Sequence, residues 1–352
     1  MKRFLSVLVV VSVLSVLSVP SSADVFNLGP GLTNLETVTV GDPGNQADTE
    51  VTWRSVTGYG SVDYEYRIGE YEVTAGQYCE FLNAVAATDT YGLYNVGMAD
   101  TSLGSGINQY GTSGSYSYKV VADFINRPVN YVSFWDACRF TNWLHNGQPT
   151  GAQDLSTTED GAYLVDGYNG TDGRDIQRKV GARWLIPTDD EWYKAAYYKG
   201  GSTDAGYWGY PTRSDNAPGR DMDDASGNNA NYGAGWPPSP IDSGKCTTVV
   251  GEFQNSASPC GTFDQGGNVW EWSESIYYWP SNPDQPCRDF LGASFSYPVS
   301  QLSAHYFVDQ NYSTCEDERI GFRIAQAIPE PSSLMILGSG ILGLAGMIRR
   351  RR

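Results

Sequence analysis

Gly267-Asn268-Val269-Trp270-Glu271-Trp272 is the most informative segment of this 352-residue chain. Its last five residues combine two tryptophans with a valine, and aromatic and β-branched residues are typical of β-strands. Trp270 and Trp272 are two positions apart, so they share one face of such a strand, and we expect that face to lie in the core. Glu271 then lies on the opposite face of the strand, where we expect an exposed residue.

The sequence around this segment predicts short elements joined by long loops. Residues 64–68 and 321–325 have the composition of two further strands. Residues 198–263 are rich in Gly, Asn, Asp and Pro and show no periodicity, so aromatic packing, disulfides or a bound metal must order them. Three helices are predicted by capping boxes, in which a Ser or Thr side chain accepts a hydrogen bond from a backbone N–H. These boxes are Thr74 with Gln77, Ser133 with Asp136, and Thr188 with Glu191.

Five motifs in a fixed order, taken together, resemble the sulfatase-modifying-factor family, whose founding members are formylglycine-generating enzymes. The resemblance covers roughly residues 64–325, and an ordered set is far more specific than one motif. It implies an irregular α/β domain of the α+β type, related to C-type lectins, with little regular secondary structure. The motifs are Tyr66-Arg-Ile-Gly-Glu-Tyr-Glu-Val-Thr74, Asn126-Arg-Pro-Val-Asn-Tyr-Val-Ser133, Arg183-Trp-Leu-Ile-Pro-Thr-Asp-Asp-Glu-Trp192, Gly267-Asn-Val-Trp-Glu-Trp272 and Ile320-Gly-Phe-Arg323.

The family resemblance implies copper-dependent oxidation of a substrate cysteine by two cysteines that follow a Gly-Gly-Ser-Phe-like turn. Here that turn is residues 292–295, and the matching positions hold Tyr297 and Leu302. Copper(I) prefers soft sulfur ligands, so we expect no copper and assign no catalytic residue. The alternative is a divergent oxidoreductase that uses Cys287 and Cys315, which bracket the same segment.

The resemblance also implies structural calcium, which oxygen ligands suit. The first site is expected to use the Asp264 and Glu271 side chains with the carbonyls of Gly267 and Val269. A second site would use Asn231 and the Tyr232 carbonyl, with Asp242 as a further candidate ligand.

Without the catalytic pair, the sequence favours a non-catalytic binding or matrix module. Four residues of the C-terminal part are candidates for its ligand surface, namely Tyr297, His305, Tyr306 and Tyr312. Aromatic residues there are compatible with stacking against sugars. A structural matrix component without a specific ligand is the third alternative.

The six cysteines are expected to experience an oxidising environment, where disulfides are permitted. Cys79 and Cys138 lie in apolar helical patterns and are predicted to be buried thiols. The other four lie in loop-like sequence and could form two bridges, for which three pairings exist. They are Cys246, Cys260, Cys287 and Cys315.

The N-terminus predicts export from the cytoplasm. Residues 1–23 combine two basic residues, an apolar stretch and small residues before a cleavage site at Ala23, as in a secretion signal. Residues 24–63 form a lead-in segment, and residues 64–328 form the domain. The formal net charge of −17 disfavours nucleic acid and anionic lipid as partners.

The C-terminus, residues 329–352, resembles the PEP-CTERM sorting signal of Gram-negative bacteria. Pro329-Glu330-Pro331 precedes an apolar helix over residues 334–348 and four arginines at 349–352. Fifteen helical residues span about 22 Å, which is shorter than a ~30 Å hydrocarbon core. We therefore expect a transient inner-membrane anchor, cleavage by an exosortase, and release to the surface or the exopolysaccharide matrix. A permanent tail anchor is the alternative.

Overall fold

The computed structural model describes residues 35–233, 237–280 and 282–328. The predicted signal peptide with Ala23, the Pro329-Glu330-Pro331 motif, the apolar helix and the terminal arginines lie outside these residues. None of the helices within the described ranges combines the length and the hydropathy of a membrane-spanning segment.

Three α-helices begin where the capping boxes predict them. Helix α1 is Ala75–Val85, α2 is Phe134–His145 and α3 is Asp189–Tyr197. Each cap side chain accepts from the predicted backbone N–H, and each partner side chain accepts from the cap residue's own N–H. All three predictions are confirmed, since a capping box depends only on residues a few positions apart.

Within the part of the chain that the structure describes, two four-stranded sheets and one hairpin accompany the helices. In chain order the strands are β1 Thr37–Val40, β2 Tyr66–Gly69, β3 Ile107–Tyr110, β4 Ser117–Val120, β5 Trp184–Leu185, β6 Trp270–Trp279, β7 Asn282–Leu291, β8 Val308–Asn311, β9 Ile320–Gly321 and β10 Ala325–Ala327. The first sheet has the order β1-β2-β10-β5 and the second β8-β7-β6-β9, while β3 and β4 pair alone. Only β6 and β9 pair in parallel within the second sheet.

The prediction of one strand over residues 321–325 is wrong, because two short strands lie there, at Ile320–Gly321 and Ala325–Ala327. The chain pairs with β6 at Gly321, leaves the second sheet, and joins the first sheet only at Ala325. The intervening residues place Arg323 in a buried ion pair with Glu271. Outside the named strands, the Phe322 and Ile324 carbonyls accept from the backbone N–H groups of Val73 and Gly69. Arg323 links the two sheets, because it donates both to the Gly69 carbonyl of β2 and to the Glu271 carboxylate of β6.

The core is dominated by large aromatic residues. Both tryptophans of the central segment are at most 1% exposed, as their spacing predicts, and the Trp272 indole donates to the Val132 carbonyl at 2.9 Å. Trp270 packs edge-on against Phe290 of β7, with ring centres 4.9 Å apart. Tryptophans bury large apolar areas, so they compensate for the scarcity of regular elements.

Part of the lead-in segment is structurally continuous with the domain. Strand β1 pairs with β2 over four residues. Residues 48–59 form a loop, here called the lead-in loop, that packs on β8 and α3; its Tyr59 ring contacts Phe307 at 4.9 Å. This segment therefore contributes to the surface beside β8.

Candidate functional site

The two positions that match the family's cysteines are filled by packed side chains. The turn after β7 begins at Gly292, whose φ of +91° and whose closeness to the Gln265 carbonyl exclude any side chain. Beyond it, the Tyr297 ring packs against Trp270 with centres 5.3 Å apart. Leu302 is fully buried, and its carbonyl accepts from the Tyr197 hydroxyl at 3.0 Å. Neither side chain can hold copper through sulfur.

All six cysteines are free thiols in the structure, so the two expected bridges are not formed. Cys246 lies in the loop that contacts Ser102, whereas Cys260 packs with the cluster around Val38. Packing therefore places Cys246 and Cys260 in different parts of the fold. Cys79 and Cys138 are buried, as the helical pattern predicts.

Cys287 and Cys315 each have a polar partner other than a second sulfur. The Trp279 indole donates to Cys287 Sγ at 3.1 Å, and the Asn311 amide donates to Cys315 Sγ at 3.1 Å. Burial raises the pKa of both thiols, that of Cys315 to about 11. Since the thiolate is the reactive form, these positions favour inert thiols.

Glu271 is held in a buried ion pair. Its Oε1 accepts from Arg323 Nη2 at 2.7 Å, and its Oε2 accepts from Arg323 Nε at 2.9 Å. The Trp192 indole donates to the same Oε2 at 2.7 Å. Glu271 is therefore buried and not exposed, and its charge is paired with a guanidinium.

Two further carboxylates surround this ion pair, and we call Glu72, Asp264, Glu271 and Arg323 the acidic cluster. Asp264 Oδ2 accepts from the Gly251 N–H at 2.6 Å. Glu72 is 1% exposed, and neither of its oxygens has a hydrogen-bond partner among the described residues. Burial raises the pKa of Asp264 to about 6, and burial together with the Asp264 charge raises that of Glu72 well above its ordinary value. The cluster thus contains three carboxyl groups and one guanidinium, that of Arg323.

The residues of the second expected calcium site have other partners. Asn231 Nδ2 donates to the Cys246 carbonyl at 2.8 Å, while its buried Oδ1 lacks a hydrogen-bond partner within the described ranges. The Asp242 carboxylate pairs with Arg127, so a guanidinium is its neighbouring cation. Across residues 35–233, 237–280 and 282–328, no three His, Cys, Asp or Glu side chains form a metal site by themselves.

The four predicted surface aromatics do not form one patch. Tyr297 faces the core through Trp270, and Tyr312 lies beyond the far end of β8, where its hydroxyl donates to Gln285 at 3.3 Å. His305 and Tyr306 lie together, with ring centres 4.5 Å apart and nearly perpendicular planes. The His305 Nδ1 is 3.3 Å from the Glu50 carboxylate, which belongs to the lead-in loop.

A groove of about 170 Å³ opens beside His305, and we call it the aromatic groove. It is lined by Trp53, Gln301, Tyr306, Val308 and Asp309. Trp53 and Tyr306 remain 42% and 41% exposed. Trp53 was not predicted, because a tryptophan in a Gly- and Thr-containing loop carries no periodic signal, and its partner Val308 is 255 residues away.

A separate pair of carboxyl groups, Asp136 and Glu316, lies beside the start of α2. Asp136, the partner in the capping box, accepts from the Ser133 N–H at 2.8 Å and from its hydroxyl at 2.6 Å. Burial raises the pKa of Asp136 to about 7, and the nearby Glu316 adds to the effect. Asp136 and Glu316 both line a small cavity of about 100 Å³.

Comparisons with known proteins agree with the motif order. The model of the sulfatase-modifying factor enzyme 1-like domain matches residues 40–328, and that of the PEP-CTERM protein-sorting motif matches residues 327–352. The crystal structure of CarF is 21% identical, with 84% of this chain and 99% of that chain covered and a TM-score of 0.52. Treponema denticola variable protein 1 is 18% identical, with 86% and 97% covered and a TM-score of 0.50. These identities show the fold alone. No curated protein is significantly similar in sequence.

Proposed function

Because the chain belongs to the sulfatase-modifying factor enzyme 1-like family and ends in a PEP-CTERM motif, we propose that it is an exported, non-catalytic binding module. The family match confirms the resemblance, and the irregular α+β fold agrees with the expected one. The sorting motif indicates export to the surface of a Gram-negative bacterium and implies recognition by an exosortase. Passage through the secretion machinery and cleavage after Ala23 remain part of the proposal.

One observation supports the non-catalytic assignment most strongly. Tyr297 and Leu302 fill the two cysteine positions as packed residues, one against Trp270 and one fully buried. Copper(I) sites of this kind need thiolates, and a phenol and an isobutyl group cannot replace them. The oxidoreductase alternative through Cys287 and Cys315 is less well supported, since burial keeps both thiols protonated at neutral pH.

Copper binding tests this assignment directly. The mature chain is titrated with copper(I) in the presence of a chromogenic chelator. We expect the chain to remove little copper from the chelator, because its thiols are buried. The double variant Tyr297→Cys with Leu302→Cys restores sulfur at both positions and serves as the matched control. A stoichiometric, tight copper(I) complex of the unaltered chain would overturn the assignment, whereas binding by the double variant alone would support it.

We further propose that the acidic cluster takes up one calcium ion. The two buried, unpartnered oxygens of Glu72 support this, because a buried carboxyl group without a hydrogen-bond partner is costly and calcium would coordinate its oxygens. Glu271 is occupied by Arg323, so Asp264 and the Gly267 and Val269 carbonyls are the stronger members of the expected ligand set. Calcium would supply structural stabilisation, not chemistry. A second ion at Asn231 and Tyr232 is less well supported, since Asp242 pairs with Arg127.

A further inference from the structure

We propose that the aromatic groove binds one ring of a neutral glycan, a site that depends on the proposed function and specifies its ligand. The groove consists of Trp53 from the lead-in loop, Tyr306 and Val308 beside it, and Gln301 with Asp309 as polar lining. It thus combines an apolar platform with planar polar groups. A sugar ring offers the matching pair of surfaces, a C–H face and a rim of hydroxyls.

The platform is formed by two exposed aromatic side chains. Trp53 and Tyr306 keep 42% and 41% of their surface exposed on the same groove. Aromatic rings present a large apolar face at a small cost in side-chain entropy, so such residues are common anchors in recognition surfaces. Tyr306 is further oriented by its edge-to-face contact with His305.

The lead-in loop holds Trp53 in place although the ring is exposed. The Trp53 N–H donates to the His305 carbonyl at 3.0 Å, and the indole donates to the Val308 carbonyl at 2.8 Å. The next residue, Arg54, makes two hydrogen bonds of 3.0 and 3.1 Å to Asp289, with both side chains at most 5% exposed. A ring fixed before binding loses little entropy when a ligand arrives.

The polar lining suits hydroxyl groups and disfavours anions. Asp309 accepts from the Gln310 N–H through one oxygen, and Gln301 offers an amide that both donates and accepts. The lining contains no Lys or Arg, while Glu50 lies beside His305 at its edge. Together with a chain charge of −17, these carboxylates repel anionic polysaccharides. A neutral glycan avoids this repulsion.

The size of the groove limits how much ligand it can hold. Its 170 Å³ is smaller than the ~300 Å³ at which pockets for drug-sized ligands begin. One sugar ring is therefore the unit that the groove accommodates, with the remainder of a longer chain in solvent. Such a site gives weak affinity for a single ring.

Affinity electrophoresis of the full mature chain tests the site. Native gels would contain dextran, laminarin or hydroxyethyl cellulose as neutral probes and alginate as the anionic probe. We expect at least one neutral polymer to retard the protein and alginate to leave it unaffected. Trp53→Ala and Tyr306→Ala should each weaken the retardation about tenfold, and Asp309→Asn several-fold. Tyr110→Ala removes a tyrosine that is 51% exposed on β3, outside the groove, and is the matched control.

Each result either supports or overturns the site. Thermal melting of every variant must match the unaltered protein, and Trp53→Phe, which keeps a ring, should retain part of the binding if Trp53→Ala proves unstable. Retardation only by alginate, no retardation by any of the three neutral polymers, or equal binding by Trp53→Ala overturns the proposal. Such failures leave the non-catalytic assignment intact, because that assignment rests on Tyr297 and Leu302 and is tested separately by the copper and oxidase assays.

Discussion

Removal of calcium should destabilise the domain through Asp264. Burial raises the pKa of this carboxyl from 3.8 to about 6. The hydrogen bond from the Gly251 N–H and the Arg323 charge lower the pKa, whereas the Glu271 charge adds to the rise. In the metal-free folded state Asp264 then keeps a proton that the unfolded chain releases. Stability therefore falls as the pH rises from about 4 to about 6, and the loss at neutral pH is about 3 kcal/mol.

A bound calcium ion would offset this loss by favouring the charged carboxylate. About 3 kcal/mol corresponds to a rise in Tm of about 5–10 °C for a domain of this size. We expect that difference between saturating calcium and EDTA at about pH 7.5, and a smaller one at about pH 5, where the unliganded carboxyl is already protonated. Differential scanning calorimetry measures both.

Two matched variants test whether the calcium-dependent rise in Tm depends on Asp264 or on any buried carboxyl group. Asp264→Asn should lose most of the calcium effect and should exceed the metal-free parent in stability near neutral pH. Asp136→Asn removes another buried carboxyl of raised pKa, far from the expected ligands in sequence, and should keep the full effect. Equal Tm in calcium and EDTA, or an undiminished calcium effect in Asp264→Asn, would refute the reasoning.

Three further predictions concern stability and thiols. Because burial raises the pKa of Asp136 to about 7, the parent should lose up to about 4 kcal/mol relative to Asp136→Asn between about pH 4 and pH 7, and parallel urea-unfolding profiles would contradict this. Gly267→Ala places a Cβ 2.1 Å from the Asn231 carbonyl at a φ of +94° and should cost more than ~3 kcal/mol. Gly114→Ala, at a φ of +92° with no atom within 4 Å, should cost only about 1 kcal/mol, and equal losses in the two would show that the contact is unimportant. Thiol titration of the denatured, unreduced mature chain should give six thiols, and four or two would demonstrate disulfides.

The sequence predicts local features of this fold well. All three helices begin at their capping boxes, since the interacting atoms lie within one turn of the chain. Strand β7 escapes prediction because Pro283, Asp284 and Pro286 give it the composition of a loop, yet it pairs with β6 along much of its length. That pairing depends on partners elsewhere in the chain, which no local pattern records.

The sites were predicted less completely for the same reason. The sequence identifies Tyr297 and Leu302 at the cysteine positions, because they follow a motif at fixed spacing. It does not indicate that Arg323 forms an ion pair with Glu271, or that Glu72 lies beside this pair without a hydrogen-bond partner. These residues come from distant segments of the chain. Trp53 likewise reaches the groove only through contacts with β8 and the residues before it.

The most direct test of the central claim is an oxidase assay with a sulfatase-type peptide that contains the substrate cysteine. The mature chain, supplied with copper(I) and oxygen, should yield no aldehyde from the peptide cysteine by mass spectrometry, because Tyr297 and Leu302 provide no sulfur for the metal. A known formylglycine-generating enzyme serves as the positive control. Conversion of the peptide thiol to an aldehyde by the unaltered chain would contradict the account.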